Sequence, residues 1–433
     1  MSTTIPHPLR FLCRDEAQNT TGMISQPALK TAVHAATADV TFRFYRSIAA
    51  AANEWDAAAP PDNLFLQRTY LHALEQHPPE GMQMGYLVFY KGEVPAGVAI
   101  CQMQYFQASQ SIKEEEPAEK TTCFFTGLAR WFKRKIATQV SADILIVGNM
   151  LFTGENAWYV HPEIMSETEF LPLLENSLGE VGKIMEQEGV RLPVILLKDI
   201  CPKNPAPGTF ARTQGYTEFE IQPSMEMELP FRTFEEYLGA MSTKYRTRAK
   251  RAFKKMGDAV QKRELNAAEV QRYSETMFAL YQKIADTAGF NMLQLHPDYF
   301  TGLKRQMPEQ FRVFGFFQEE QLIAFFTTFN NYGALDAHFI GYEPALNHDL
   351  QLYQNMLYDI VRVGIDMGCG HINFARTALE IKSTVGAVPV AYCCYVRHQN
   401  SLANQFAGKL VDCFKPVETW VQRHPFKEEL HTA

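Results

Sequence analysis

FRVFGFFQEEQLIAFFTTFNNYGALDAHFIGY, residues 311–342, is the stretch whose reading decides the fold. Phe311 to Phe317 is an apolar strand, Gln318 to Glu320 a turn and Gln321 to Phe329 a second strand, so the pair predicts a hairpin. Leu335 to Tyr342 predicts a third strand. Upstream, Pro297 to Gln306 carries a helix signal. Downstream, Asp349 to Met367 places Leu350, Tyr353, Leu357, Ile360, Val361 and Ile365 near helical spacing and stops at Gly368 and Gly370. A short strand follows at His371 to Phe374.

The chain states the same order earlier. A helix signal at Phe65 to Gln76 precedes strands at Gly85 to Tyr90 and Val94 to Tyr105, with a turn at Lys91-Gly92 between them. A third strand is predicted at Ala142 to Phe152. The helix Thr168 to Gly189 comes next, with Ser166 and Glu169 spaced as a capping box. A strand at Pro193 to Leu197 follows, and the last strands of the two halves end near Leu229 and Val396. Long helices between strands require crossovers, so the fold class is α/β, two tandem domains with mixed, partly parallel sheets. The expected division is a poorly ordered leader at 1–40, domains at 41–229 and 230–400, and a helical tail at 401–433.

A length of 433 residues at 46% hydrophobic content accommodates two cores. The net charge of -7 gives no global basic field, so duplex DNA is not an expected partner. The eight cysteines form no CxxC pair and no ligand-like spacing, so neither a disulfide framework nor a structural zinc is expected. With no secretory signal at the start and no apolar run long enough to span a bilayer, the expected location is the cytoplasm. An amphipathic stretch at 124–136, with Phe124, Phe125, Leu128, Phe132 and Ile136 flanked by Arg130, Lys133, Arg134 and Lys135, raises peripheral membrane contact as a further expectation.

Three segments carry candidate chemistry. Residues 242–256 hold seven basic residues and no acid. As a helix over 243–256 they put Tyr245, Ala249, Ala252, Phe253 and Met256 on an apolar stripe and Lys244, Arg248, Arg251 and Lys255 on another face, which suits a phosphate or carboxylate partner. Residues 371–387 run from a strand into a helix, with Thr377 and Glu380 spaced as a capping box, Arg376 at the strand end and Lys382 within the helix. Asp336 and His338 are two apart on one strand and share a face, which makes them candidates to accept a proton from an attacking amine. No GxSxG, HExxH or Walker A sequence is present, which lowers hydrolase, zinc-protease and NTPase readings.

The hairpin–strand–helix–strand–helix–strand order, stated twice, is that of the GNAT acyltransferase fold. Together with Asn63-Leu-Phe65-Leu, Tyr70-Leu-x-Ala-Leu74-Glu75, the helix at 244–255 and the Phe374-x-Arg376…Lys382-x-x-x-Gly386 unit, it resembles the FemAB-like N-acyltransferases. The resemblance implies two fused GNAT-like domains with acyl donor and acceptor meeting in a cleft. It implies that Lys244, Tyr245, Arg246 and Arg248 bind an anionic substrate, with Arg376 and Lys382 near the donor and Lys382 assisting the reacting carbonyl. No cofactor is held tightly on this reading; acyl-CoA, another acyl donor or an acyl carrier protein serves as cosubstrate. The acceptor is a small-molecule or lipid-linked amine. One departure matters: the stretch before the long helix, Glu343 to Leu350, has no glycine-rich loop for a pyrophosphate. Two alternatives therefore stand beside acyl-thioester transfer: aminoacyl transfer from charged tRNA to a cell-wall precursor, and a catalytically silent binding module.

Overall fold

The computed structural model describes residues 31–34, 39–107, 141–287, 293–414 and 420–427. The amphipathic stretch at 124–136 and most of the expected leader lie outside these residues. In chain order the first half contains β1 (Thr31–His34), β2 (Val40–Tyr45), α1 (Ala52–Ala58), α2 (Arg68–Gln76), β3 (Gln83–Lys91) and β4 (Val94–Gln107). It continues with β5 (Ser141–Val147), β6 (Trp158–Val160), α3 (Glu167–Gln187), β7 (Val194–Ile200), α4 (Pro205–Thr213), β8 (Thr217–Glu220) and β9 (Ser224–Glu228). After the connecting helices α5 (Phe234–Ala240) and α6 (Thr243–Met256) come β10 (Val260–Glu264), α7 (Ala267–Arg272), α8 (Ser274–Ala285), α9 (Tyr299–Gln306), β11 (Phe311–Gln318), β12 (Gln321–Asn331) and β13 (Ala334–Tyr342). The chain closes with α10 (Pro344–Leu350), α11 (Leu352–Asp366), β14 (His371–Asn373), α12 (Leu379–Ser383), β15 (Val388–Val390), β16 (Cys393–His398), α13 (Ser401–Asn404) and α14 (Ala407–Phe414).

The strands form two mixed sheets, ordered β1-β2-β3-β4-β5-β7-β16-β8, with β6 paired to β4, and β10-β11-β12-β13-β14-β9-β15. Each contains one parallel pair, β5 with β7 and β13 with β14, and both pairs are joined by a crossover through a long helix. The hairpins and crossovers match the order expected from sequence. The ownership of the last strands does not follow the chain. β9, which ends the first half, pairs with β14 and β15 in the second sheet, while β16 sits between β7 and β8 in the first. Each sheet is thus completed by a strand from the other half, a property of pairing partners that local periodicity does not encode.

Three large cores and one small cluster, Ile144, Ile146, Leu196 and Cys394, follow from this layout among the described residues. Helix α3, capped by Ser166 and Glu169 in a complete capping box, packs Phe170, Leu174, Leu178 and Val181 on one face of the first sheet. Helices α6 and α11 cover one face of the second sheet through Ala249, Ala252, Leu357 and Val361. The remaining faces meet in a shared core in which Phe65, Tyr70 and Phe152 of the first half contact Phe329 of the second. The expected single helix over 349–367 is two helices, because Gln351 adopts φ 48° and ψ 47°, breaking the ladder between α10 and α11. The expected strand at 142–152 stops at Val147, where Gly148 takes φ 144°.

Candidate active site

β13 has nine residues but pairs with β14 only through Ala334–His371, Leu335–Ile372 and Asp336–Asn373. Beyond Asp336 the two strands part and leave a wedge. A bulge reinforces the divergence: Thr328 faces Ala337 and Phe326 faces Ile340, so His338 and Phe339 together oppose Thr327. Thr327 Oγ1 fills the gap, accepting from Phe339 N at 3.0 Å and donating to Phe339 O at 3.1 Å. Ala337, His338, Phe339 and Ile340 are only half-buried although they lie on an interior strand. Beyond Asp336 this edge of β13 has no strand partner among the described residues, and α8 packs against the strand at Phe339 and Gly341.

Asp336 lies at the apex of the wedge. Its side chain is 5% exposed, and burial pushes its carboxyl up to about 7. Asn331 Nδ2 donates to Asp336 Oδ2 at 3.3 Å, and Asn373 is the strand partner of Asp336 on β14. A buried carboxylate poised near neutrality can take up a proton during turnover. His338 shares the Asp336 face, as the spacing predicts, but it points into the aromatic core. Its ring stacks on Phe152 at 4.5 Å, Nε2 lies 2.8 Å from Tyr299 Oη, and burial lowers its pKa to about 3. It is therefore a neutral imidazole at physiological pH.

The opposite rim is the loop Phe374–Ala378. Ala375, Thr377 and Ala378 all have φ between 48° and 69°, an unfavourable conformation for residues with a Cβ. The loop is held from several sides. Asn373 Oδ1 accepts from Ala375 N at 2.8 Å, and Lys382 Nζ donates to the carbonyls of Ala375 at 3.3 Å and Arg376 at 2.5 Å. Lys382 is 6% exposed, and burial lowers its pKa to about 7. Both of its hydrogen bonds support the rim, so the ammonium sits behind the loop. The capping box expected from Thr377 and Glu380 does not form: the left-handed Ala378 occupies the N-cap and Glu380 pairs with Arg423. Arg376 does not face an empty anion site. Its guanidinium grips Asp199 through Nη2–Oδ1 at 2.5 Å and Nη1–Oδ2 at 3.2 Å, and donates Nε to Gln222 O at 2.7 Å. Burial alone would raise the Asp199 pKa, but Lys198 and Arg376 reverse this and hold it below the usual carboxylate range. Arg376 thus ties the rim loop to the first half.

Helix α6 spans the expected residues, and its apolar stripe is the predicted one, with Tyr245, Ala249, Ala252 and Met256 buried. Tyr245 is part of this buried stripe at 8% exposure, with Lys244 Nζ 5.6 Å from its ring centroid. Lys244, Arg248 and Arg251 line an open cleft of about 480 Å³ with Thr243, Thr247 and Gln351, the residue that caps α11. Arg246 is half-buried and does not line it. Lys255 reaches across to His348 O of α10 at 3.0 Å. The basic face thus stands beside the N-terminus of a 15-residue helix, whose dipole favours anions, although Tyr353 N there already donates to Asn347 Oδ1 at 3.0 Å.

Sequence reasoning missed the polar seam around Asp336, in which Asn331, Asn373, Thr153 and Ser224 converge from four separate strands and loops. Thr153 Oγ1 lies 3.1 Å from Ser224 Oγ and donates to Asn373 Oδ1 at 3.1 Å; Ser224 Oγ donates to the same atom at 2.9 Å. Nearby, Glu226 accepts from Tyr392 Oη at 3.1 Å and pairs with His371 at 3.3 Å, which also contacts Glu228. The only sequence signal was a run of polar residues inside otherwise apolar strands.

Residues 242–383 match the family model of the acetyltransferase (GNAT) domain. No curated protein matches the chain. Among solved structures, it is similar to FemX at 11% identity, over 77% of this chain and 96% of that one, with a TM-score of 0.47. It is also similar to a tandem GNAT protein from the clavulanic acid biosynthesis pathway at 10% identity, over 79% and 90%, with a TM-score of 0.44. A third similarity is to L-PGS from Bacillus licheniformis at 10% identity, over 78% and 94%, with a TM-score of 0.40.

Proposed function

We propose that the chain is an acyltransferase of the GNAT superfamily, a reading supported by the acetyltransferase (GNAT) domain model that matches residues 242–383, and we propose its donor, acceptor and proton path. The reaction is transfer of an acyl group from a thioester, acyl-CoA or an acyl carrier protein, to a primary amine. The observation that carries this reading is the wedge between β13 and β14 with the buried Asp336 at its apex. An acyl-thioester laid along the open edge of β13 can use that strand's backbone groups, which suits a donor arm rich in amides. Phosphates on such a donor have a counterpart in Lys244, Arg248 and Arg251 beside α11.

In the chemical step the amine nitrogen attacks the thioester carbon, and the carbonyl oxygen takes up negative charge in the tetrahedral intermediate. Collapse breaks the C–S bond. The nitrogen gives one proton to the Asp336 carboxylate, and the departing thiolate leaves as a thiol after taking up one proton. No covalent acyl-enzyme is required, so catalysis rests on positioning and proton transfer. His338 would act through its bond to Tyr299, and Lys382 by keeping the rim loop in its left-handed form. The proposed units are 41–229 and 230–400, each lending one strand to the other.

A second reading, aminoacyl transfer from charged tRNA, is favoured by the residues before α11, where Glu343 to Leu350 form a Pro-initiated helix in place of a glycine-rich loop. Contact of 124–136 with a membrane would fit a lipid-linked acceptor. Purified protein should release free thiol from an acyl-thioester only when an amine is supplied, and Asp336→Asn should lower that rate by about 10²-fold or more. An unchanged rate in the variant sinks the assignment of the base. Incorporation of labelled amino acid that requires tRNA would decide for the second reading, and ligand binding without turnover would mark a silent module.

A further inference from the structure

Asp336 belongs to a ring of hydrogen bonds, closed by one strand pairing, that passes through both halves. From Asp336 Oδ2 the ring runs to Asn331 Nδ2 at 3.3 Å, and Asn331 Oδ1 accepts from the backbone N of Leu64 at 2.8 Å. The residue before it, Asn63, caps the short 3-10 turn at Leu64–Leu66 and donates Nδ2 to Asn156 Oδ1 at 3.1 Å. Asn156 Nδ2 donates to Thr153 O at 3.3 Å, and Asn373 Nδ2 donates to the same carbonyl at 3.2 Å. Asn373 closes the path only as the strand partner of Asp336 in the β13–β14 ladder. Asn63, Leu64, Thr153 and Asn156 come from the first half; Asn331, Asp336 and Asn373 come from the second. Asn156 and Thr153 are 7% and 8% exposed and Asp336 is also buried, while Asn63, Asn331 and Asn373 are half-buried.

The amide at 331 is oriented by this geometry. Because Leu64 N must donate to it, the oxygen faces the first half and the NH2 group faces Asp336, which fixes one donor on the carboxylate. We propose that Asn331 is a positioning residue for the acyl-transfer reaction: it couples the seating of the first half, through Leu64 N, to the proton affinity of the Asp336 carboxylate. This inference rests on the reading of Asp336 as the proton acceptor. It gives the first half a role in catalysis even if no residue there touches the reacting atoms.

A donor on a carboxylate favours the ionised form. With the ring intact, Asp336 is a carboxylate over more of the pH range in which an amine acceptor is available. With the ring open, the same carboxyl keeps its proton to higher pH. The other titratable groups facing Asp336 are His371 on β14, Glu226 on β9 and Cys369 just before β14, with Glu228 and Tyr392 behind them on His371 and Glu226. His371 favours the ionised form and Glu226 opposes it, and neither bonds to Asn331. Their effects are therefore common to wild type and the ring variants.

The test is the pH dependence of kcat/KM for thiol release with a saturating amine, measured on the full chain for wild type, Asn331→Ala, Asn331→Leu, Asn63→Ala and Asp336→Asn, with thermal unfolding of each in parallel. Loss of one hydrogen bond to a charged group should move the acid limb upward by about one pH unit in both Asn331 variants, with kcat recovering above the shifted midpoint. Asn63→Ala, three bonds away, should move it in the same direction by a smaller amount. Asp336→Asn should remove the limb. If Asp336→Asn removes it but folded Asn331 variants leave it in place, or lose rate equally at every pH, the positioning role is overturned while the base stands. If Asp336→Asn keeps the limb, the base assignment itself fails and the coupling falls with it. Should Asn331→Ala unfold, the Asn331→Leu and Asn63→Ala profiles decide between the same outcomes.

Discussion

Two buried residues near the wedge hold protonation states far from their solution values, and they act on stability in opposite directions. Asp336 titrates at about 7 in the fold because of burial, against roughly 4 when unfolded. Between these values the folded chain keeps a proton that the unfolded chain has released, so this contribution to stability falls as pH rises from about 4 to 7. Lys382, lowered by burial to about 7, behaves differently. Above 7 the unfolded chain binds the extra proton, up to roughly 10.4, so stability rises with pH in that window. Replacing Asp336 by Asn should flatten the first trend without touching the second, which urea denaturation midpoints across pH 4–10 would show. A decline of wild-type steepness in the variant would mean that the proton resides elsewhere. Sequence spacing identified Asp336 and His338 as sharing a face, because strand alternation is local. It could not tell that one would sit at the wedge and the other against Phe152, since that depends on which half packs there.

Among the elements, α6 was the most legible. Its length, stripe and basic face all follow from a 3.6-residue period, and a period needs no knowledge of the partner. The resemblance grouped Tyr245 with Lys244 and Arg248, and the same period buries its ring against the sheet. The break at Gln351 was invisible because Pro344 starts a helix as readily as it ends one, and the apolar spacing continues through both pieces. Reversing the charge of the face, as in Arg248→Glu with Arg251→Glu, alters exposed side chains and should leave unfolding temperature within a few degrees. For a phosphate-bearing donor it should raise KM by about tenfold or more while kcat changes less, and the loss should shrink as salt rises. An unaltered KM for acyl-CoA would exclude the cleft as the seat of the donor's phosphates.

On the scale of the whole molecule, the order of strands was readable and their ownership was not. Each half announces its own hairpin and crossover through residues close in sequence, whereas the last strand of each finds its place only against the other sheet. The halves also approach closely. Gly302 on α9 lies against His77 at the end of α2, where an added methyl carbon would come within 2.0 Å of the imidazole ring. Gly302→Ala should therefore push α9 and α2 apart and destabilise the chain by about 1–3 kcal/mol. It should also weaken catalysis through the shared core, and tolerance of this change with full stability would show that the contact is loose.

The traded strands also impose a timetable on synthesis. When β9 leaves the ribosome, the first sheet still has an opening between β7 and β8, and the strand that fills it, Cys393–His398, has yet to be translated. At ordinary elongation rates that opening persists for roughly 8–30 s. Over this interval two strand edges that the finished protein buries are exposed to solvent, to neighbouring nascent chains and to holdase chaperones. The first half is made early but can be completed only at the end, so its folding is set by the clock of the whole chain.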